Sequence, residues 1–269
     1  MNEEPRPGNK PNDPETAGHP LQRLIIKILC ALVILTAGFL CLVAVNSGAP
    51  EVATVKMVLG LIVLWIVLGG TLMYHFRDRA RACILRLPFD WRVEFVLFAT
   101  ILALIEEAIT VLMTNLAPFF GVKVGEAYVT ASTDYLDVVL FHGVVVLVPL
   151  FIAWSLILSR YDFSPFAVFL LFGIMGIVCE TAINPAGAIT GFAMWIFIYG
   201  LMVYLPTYCI PPERGARKPM WHHHLLAIPR RLPHRPASPD TDRIPVGERL
   251  AASNRGAFLA LRMNNPRTF

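Results

Sequence analysis

Four ionisable side chains of this sequence lie inside long apolar stretches. Glu106 and Glu107 occur in ATILALIEEAITVL, His142 occurs in LFHGVVVLVP, and Glu180 occurs in MGIVCETAIN. An ionisable group in the core of a bilayer is costly unless it faces the bundle interior, a cavity or a partner. Each of the four therefore requires a partner or a function.

These residue types can perform acid–base chemistry or hold a metal. A buried glutamate near an imidazole can act as a general acid–base pair. Two or three carboxylates with one imidazole can also bind a divalent metal, although the sequence identifies no cofactor. The candidate catalytic residues are Glu106, Glu107, His142 and Glu180; the supporting hydrogen-bonding groups are Thr110, Thr114 and Asn184; and the candidate metal ligands are Glu107, His142 and Glu180.

The composition indicates a protein that lies in a membrane. The 269 residues are 56% hydrophobic and 16% charged, whereas soluble domains carry about 25% charged residues. The mean hydropathy is +0.59. The five cysteines show no metal-ligand spacing, and we interpret them as small apolar residues.

Hydropathy predicts an all-α, polytopic integral membrane protein with a bundle of six transmembrane helices. The predicted spans are Leu24–Val45, Met57–Phe76, Val93–Leu116, Tyr135–Leu158, Ser164–Ile183 and Ile189–Ile210. We expect residues 1–22 to be a disordered N-terminus, residues 23–211 to form the transmembrane domain, and residues 212–269 to form a basic, mostly disordered tail.

The distribution of Lys and Arg predicts the orientation of the bundle. With the N-terminus in the cytoplasm, 21 of the 23 Lys and Arg residues lie on the inner side, and Lys56 and Lys123 lie outside. The positive-inside rule therefore places both termini in the cytoplasm, in a plasma or inner membrane. The expected partners are membrane lipid, anionic headgroups at the basic tail, and a second copy or another membrane protein. Nucleic acid is not expected.

Depth along the spans predicts that the ionisable residues share one level. At ~1.5 Å per residue, Glu106 lies roughly 20 Å above the inner surface and Glu180 roughly 24 Å above it. His142 lies roughly 10 Å below the outer surface, which also places it in the outer third of a ~30 Å core.

Helical spacing predicts which way these side chains point. Glu107 falls on a stripe of small and polar residues, which comprises Thr100, Ala103, Glu107, Thr110 and Thr114. Glu106 lies about 100° to one side, so it should reach a second neighbour. Asp137 should point away from His142, towards the outer interface.

Three functions remain open from the residues alone. The polar groups can be structural, because a protonated glutamate can hydrogen-bond between helices. They can activate water in a hydrolase. They can also bind a proton or cation in a carrier, where buried carboxylates lie at a broken helix; Asn184-Pro185 and Pro118 supply such breaks.

The order of these residues resembles the CAAX-prenyl-protease-like intramembrane glutamic hydrolases. That family carries Glu-Glu-x-x-x-Arg, Phe-x-x-x-His and His-x-x-x-Asn motifs on successive helices. The resemblance implies that Glu106 or Glu107 activates water while His142 and Asn184 stabilise an oxyanion. It covers about 80 residues, and Val111, Val138 and Glu180 replace the Arg, the Phe and the last His of the motifs.

Overall fold

The helices of this chain follow one another through short turns. The computed structural model describes residues 20–217. The helices are α1 (Pro20–Ala44), α2 (Ala49–Ile84), α3 (Trp91–Asn115), α4 (Tyr135–Arg160), α5 (Pro165–Ile183), α6 (Pro185–Thr190) and α7 (Phe192–Tyr208). A short 3-10 turn, Ala117–Phe120, follows α3.

The lengths of the helices suit a multi-pass membrane protein. Five helices, α1 to α5, are long and apolar enough to cross a membrane. Helix α7 has 17 residues and is shorter than the predicted span Ile189–Ile210. The number of six spans and the cytoplasmic location of both termini remain predictions.

Two boundaries differ from those predicted by hydropathy. Helix α2 has 36 residues, so Lys56 and Arg77 lie within it and not in loops. Helix α1 begins at Pro20, so residues 20–22 are helical. Hydropathy detects the apolar centre of a helix, whereas a helix continues for as long as its backbone hydrogen bonds do. The predictions for residues 1–19 and 218–269 lie outside the described residues.

Helices α2 and α4 each contain a wider, π-helical segment. These segments are Ile62–Gly69 and Val139–Leu147. In a π-helix the hydrogen bonds join residues five apart, so side chains five apart approach each other. Trp65 in the first segment is buried and donates from Nε1 to the Ile198 carbonyl at 3.1 Å.

Helix α7 lies at the centre of the bundle. It packs against α1, α2, α3 and α5 and is apolar around its whole circumference, as expected for a buried helix. Its closest neighbour is α5, because a Cβ on Gly173 would lie 2.8 Å from the Ile196 carbonyl oxygen. A Cβ on Gly200 would likewise lie 2.7 Å from the Phe169 carbonyl oxygen. Small residues thus let the two backbones approach closely.

Residues 117–134 cover one end of the bundle, which we call the loop end. The Asn115 side chain donates to the Thr133 carbonyl at 2.9 Å, and the Thr114 hydroxyl accepts from the Val129 amide at 3.3 Å. Gly121 has a φ of 91°, which favours glycine at that turn. These bonds fix the loop on the end of α3.

Residues 211–217, which we call the C-terminal strap, bind the turn between α4 and α5 at the opposite end. Arg214 pairs with Asp162 at 2.6 Å and also donates to the Leu158 carbonyl at 3.0 Å. The Arg217 amide donates to the Arg160 carbonyl at 2.9 Å. The first residues of the predicted tail, 212–217, therefore make defined contacts.

Candidate functional site

Glu107 and His142 form a pair between α3 and α4. His142 Nδ1 lies 2.8 Å from Glu107 Oε1. Glu107 is 4% exposed, whereas the His142 side chain is 43% exposed. The Tyr135 hydroxyl donates to the Leu104 carbonyl at 3.0 Å and holds the start of α4 on α3. The pair thus joins a buried carboxyl to an accessible imidazole, and we call it the Glu–His dyad.

An open pocket of about 380 Å³ borders the dyad at the loop end. Its lining residues are Ala131, Ser132, Asp137, Val138, Phe141 and His142. Asp137 and His142 both border this pocket, and the exposed Asp137 carboxyl accepts from the Ser132 hydroxyl of the loop at 3.4 Å. The two residues are five apart, and the π-helical segment that follows Val138 brings positions five apart onto one face.

Glu180 forms a second polar contact, with a residue that sequence reasoning missed. The Tyr199 hydroxyl of α7 donates to Glu180 Oε1 at 2.5 Å. The Tyr199 ring lies against Gly176, one helical turn before Glu180. Nothing in the sequence of α7 distinguishes this tyrosine from its apolar neighbours.

Glu106 is a buried carboxyl next to Glu107 in α3. It is 5% exposed, and among residues 20–217 its carboxyl has no hydrogen-bond partner. It lies within electrostatic range of Glu107, Glu180 and Tyr199. Glu107 contacts His142 of α4. That Glu106 reaches a second neighbour stays a prediction.

The three supporting residues hydrogen-bond the backbone and not the ionisable side chains. Thr110 donates to the Glu107 carbonyl at 2.9 Å, and Thr114 donates to the Thr110 carbonyl at 3.0 Å. The Asn184 side chain is exposed and accepts from the Gly187 amide at 3.0 Å, so it caps α6. These residues stabilise the helix that carries the carboxylates and the break that follows α5.

The described part of the chain, residues 20–217, contains no group of three or more His, Cys, Asp or Glu side chains placed to hold a metal ion. Glu107, His142 and Glu180 are thus not arranged as a ligand set in this structure. His142 does lie within electrostatic range of Glu180.

No family model, curated protein or solved structure matches this chain. The resemblance to the glutamic hydrolases therefore gains no support from the comparisons. In the structure, Asn184 Oδ1 accepts from the Gly187 amide as the cap of α6, and the side chain is exposed. The geometry of Glu107 and His142 is the main basis for a functional argument.

Proposed function

We propose that this protein is a membrane-embedded hydrolase in which the Glu–His dyad activates a water molecule. The observation that carries the proposal is the 2.8 Å contact between a buried carboxyl and a half-exposed imidazole beside a pocket. A carboxylate that accepts from Nδ1–H fixes the tautomer and leaves Nε2 as the basic nitrogen. An imidazole held in this way is a suitable general base near neutral pH.

The chemistry requires one proton to move twice. His142 Nε2 takes a proton from water as the oxygen attacks a substrate carbonyl, and Glu107 stabilises the resulting imidazolium. His142 then returns that proton to the leaving oxygen or nitrogen as the carbon–heteroatom bond breaks. The products are a carboxylic acid and an alcohol or amine.

The surroundings of the pocket support a substrate that arrives from the lipid. Phe141, in the pocket wall, is 78% exposed on the surface of a helix that is apolar enough to span a membrane. His142 lies two helical turns into α4, which places it about 10 Å below the first residue of that helix. The ester groups of phospholipids, which lie at the edge of the hydrocarbon core, are the lipid carbonyl groups nearest to the pocket.

The test uses proteoliposomes made from polar phospholipid in water enriched in ¹⁸O. The hydrolase should release fatty acids that carry one ¹⁸O atom. Glu107→Gln and His142→Asn should reduce the rate by roughly 10²–10⁴-fold, the usual contribution of a general base. Labelled fatty acid released equally by wild type and His142→Asn would refute the proposal.

Two matched variants control for unspecific effects of these substitutions. Glu94→Gln removes another buried carboxyl of α3, 13 positions before Glu107. His75→Asn removes an exposed histidine of α2. Both should retain the wild-type rate, because neither residue contacts the dyad.

A second candidate, a proton-coupled carrier, is favoured by the broken helix next to Glu180. Helix α5 ends at Ile183 and α6 begins at Pro185, with Asn184 in a non-helical conformation between them. Carriers place buried carboxylates at such breaks. A carrier should move protons across vesicles in response to its substrate, and Glu107→Gln should abolish that flux.

A structural role is the third outcome of the same experiments. It predicts that Glu107→Gln and Glu180→Gln lower thermal stability with no loss of catalysis or flux. Measurement of unfolding alongside both assays therefore separates the three functions.

A further inference from the structure

The pocket beside the Glu–His dyad carries a carboxylate that the hydrolytic reaction does not use. Asp137 lines this pocket together with His142, and its side chain is exposed. Asp137 Oδ2 accepts from the Ser132 hydroxyl in a long contact of 3.4 Å. Among residues 20–217, no Lys or Arg forms an ion pair with Asp137. The pocket therefore presents a negative charge that retains capacity to accept hydrogen bonds.

The other acidic side chains at the loop end bind the backbone. Glu126 Oε2 accepts from the Lys123 amide at 2.8 Å, and Asp134 Oδ1 accepts from the Leu136 amide at 2.8 Å as the cap of α4. Neither acid lines the pocket. Residues 117–137 contain three acids and one base, so the charge around the pocket is negative. A cationic group is attracted to such a surface, and an anionic group is repelled.

An aromatic ring lies in the wall of the same pocket. Phe141 follows Asp137 by four positions, lines the pocket with it and is 78% exposed. A carboxylate and an open ring together suit an ammonium ion, because the carboxylate pairs with its charge and the ring face attracts it through a cation–π interaction. A phosphate would require Lys or Arg donors, which the lining of this pocket lacks.

The position of Asp137 relative to His142 fits the arrangement of groups in a phospholipid. Asp137 lies five positions nearer the start of α4 than His142, which is about 7 Å along a helix. A zwitterionic phospholipid carries its ammonium group beyond the phosphate, further from the hydrocarbon core than its esters. With an ester at His142, the ammonium group of the same lipid therefore lies towards the start of α4.

We propose that Asp137 and Phe141 form a subsite for the ammonium headgroup of a zwitterionic phospholipid, such as a choline or ethanolamine phospholipid. This subsite makes the protein prefer such lipids to anionic ones. Asp137 determines specificity and takes no part in proton transfer. The position of the ester rests on the proposed hydrolase, whereas binding of the ammonium group requires only Asp137 and Phe141.

Competition between two lipids in one vesicle tests the preference. Proteoliposomes in ¹⁸O-enriched water contain equal amounts of phosphatidylcholine and phosphatidylglycerol with distinguishable acyl chains. We expect the wild type to hydrolyse the choline lipid roughly tenfold faster, because a cation–π contact and a carboxylate pair favour that headgroup alone. Asp137→Asn should remove most of this preference, and Phe141→Leu, which keeps an apolar wall, should remove part of it.

Two variants distinguish the subsite from the general surface charge. Glu126→Gln removes the same charge from an exposed acid of the loop that does not line the pocket, so the preference should remain. Asp137→Glu keeps the carboxylate and should retain most of the preference. If Glu126→Gln reduces the preference as much as Asp137→Asn, the surface charge determines it and the subsite is refuted.

Binding to an inactive variant separates this inference from the hydrolase. His142→Asn in non-ionic detergent is titrated with a short-chain phosphatidylcholine, with phosphatidylglycerol of the same chain length, and with choline chloride. The choline lipid should bind roughly tenfold more tightly than the glycerol lipid, and choline chloride should bind more weakly than either lipid because it has no acyl chains. The double variant Asp137→Asn/His142→Asn should lose the preference. Glu107→Gln replaces His142→Asn if the latter does not fold.

Three results would overturn the subsite. They are equal affinity for the two lipids, a preference that Asp137→Asn leaves unchanged, and binding of choline chloride as tight as that of the lipid, which would assign the site to a soluble ammonium compound. Binding that depends on Asp137 without any turnover refutes the hydrolase alone. Turnover without a headgroup preference refutes the subsite alone.

Discussion

Gly176→Ala should weaken the contact between Tyr199 and Glu180 through packing alone. A Cβ at position 176 would lie 2.8 Å from Tyr199 Cε2 and closer still to Cδ2 and Cγ. Carbon atoms in normal contact are about 3.5–4.0 Å apart. Because Cδ2 and Cγ start closer than Cε2, the ring must move by well over ~0.7 Å to reach that range, and the 2.5 Å hydrogen bond to Glu180 lengthens with it.

The expected change in the free energy of unfolding combines three contributions. Overpacking costs about 1–3 kcal/mol, and a hydrogen bond between membrane helices is worth about 0.6–1.7 kcal/mol. Replacement of Gly by Ala within a helix contributes about 1 kcal/mol in the stabilising direction. The net destabilisation should be about 1–4 kcal/mol.

The assay is unfolding in mixed micelles with increasing denaturing detergent, followed by circular dichroism. Gly38→Ala is the matched control, since no atom lies within 4 Å of a Cβ at that position of α1. This control should be neutral or stabilised by up to about 1 kcal/mol. If Gly176→Ala unfolds within about 0.5 kcal/mol of Gly38→Ala, the packing argument is wrong.

Tyr199→Phe separates the steric effect from the hydrogen bond. It removes the hydroxyl but keeps the ring against Gly176. If the displaced ring has already lost Glu180, the double variant should cost less than the sum of the single variants. The shortfall should equal the cost of Tyr199→Phe alone.

Two further predictions concern the end of the bundle opposite the loop end. Cys83, exposed near the end of α2, should react with a membrane-impermeant maleimide only from the cytoplasmic side, whereas the buried Cys209 should not react from either side. Lys123→Cys is the control for the opposite face of the membrane. Labelling of Cys83 from outside would reverse the predicted orientation. Arg214→Ala should release the C-terminal strap, because it removes the ion pair with Asp162 and the bond to the Leu158 carbonyl. Trypsin should then cleave after Arg217 several-fold faster than in an Arg86→Ala control, and equal rates would show that the strap does not depend on Arg214.

The positions of the ionisable residues were largely predictable, because burial in an apolar helix imposes strict geometry. The apolar sequence around Glu106 and Glu107 indicated that both are inside the bundle, and both are. Helical spacing indicated that adjacent glutamates reach different neighbours. The depth of His142 correctly suggested that it can meet Glu107.

The hydrogen-bond partners were less predictable, because they depend on helix packing and local backbone form. Tyr199 meets Glu180 only because glycines let α7 approach α5. Asp137 shares the pocket of His142 only because α4 widens after Val138, and hydropathy carries no signal for a π-helical turn. Asn184 was predicted as a supporting group of the site, but its side chain caps α6, a position at which asparagine is strongly preferred.

The π-helical segment of α4 makes its two halves differ in rotational phase. On one side of the segment His142 must face Glu107, and on the other Phe151 and Leu158 are fully buried. Deletion of a single residue from Val139–Leu147 would turn one half against the other by about 100°. Either the dyad would separate or the core would lose those side chains. The number of residues in this segment is therefore constrained more tightly than their identity, and a family descended from this chain should tolerate substitutions there far more readily than deletions.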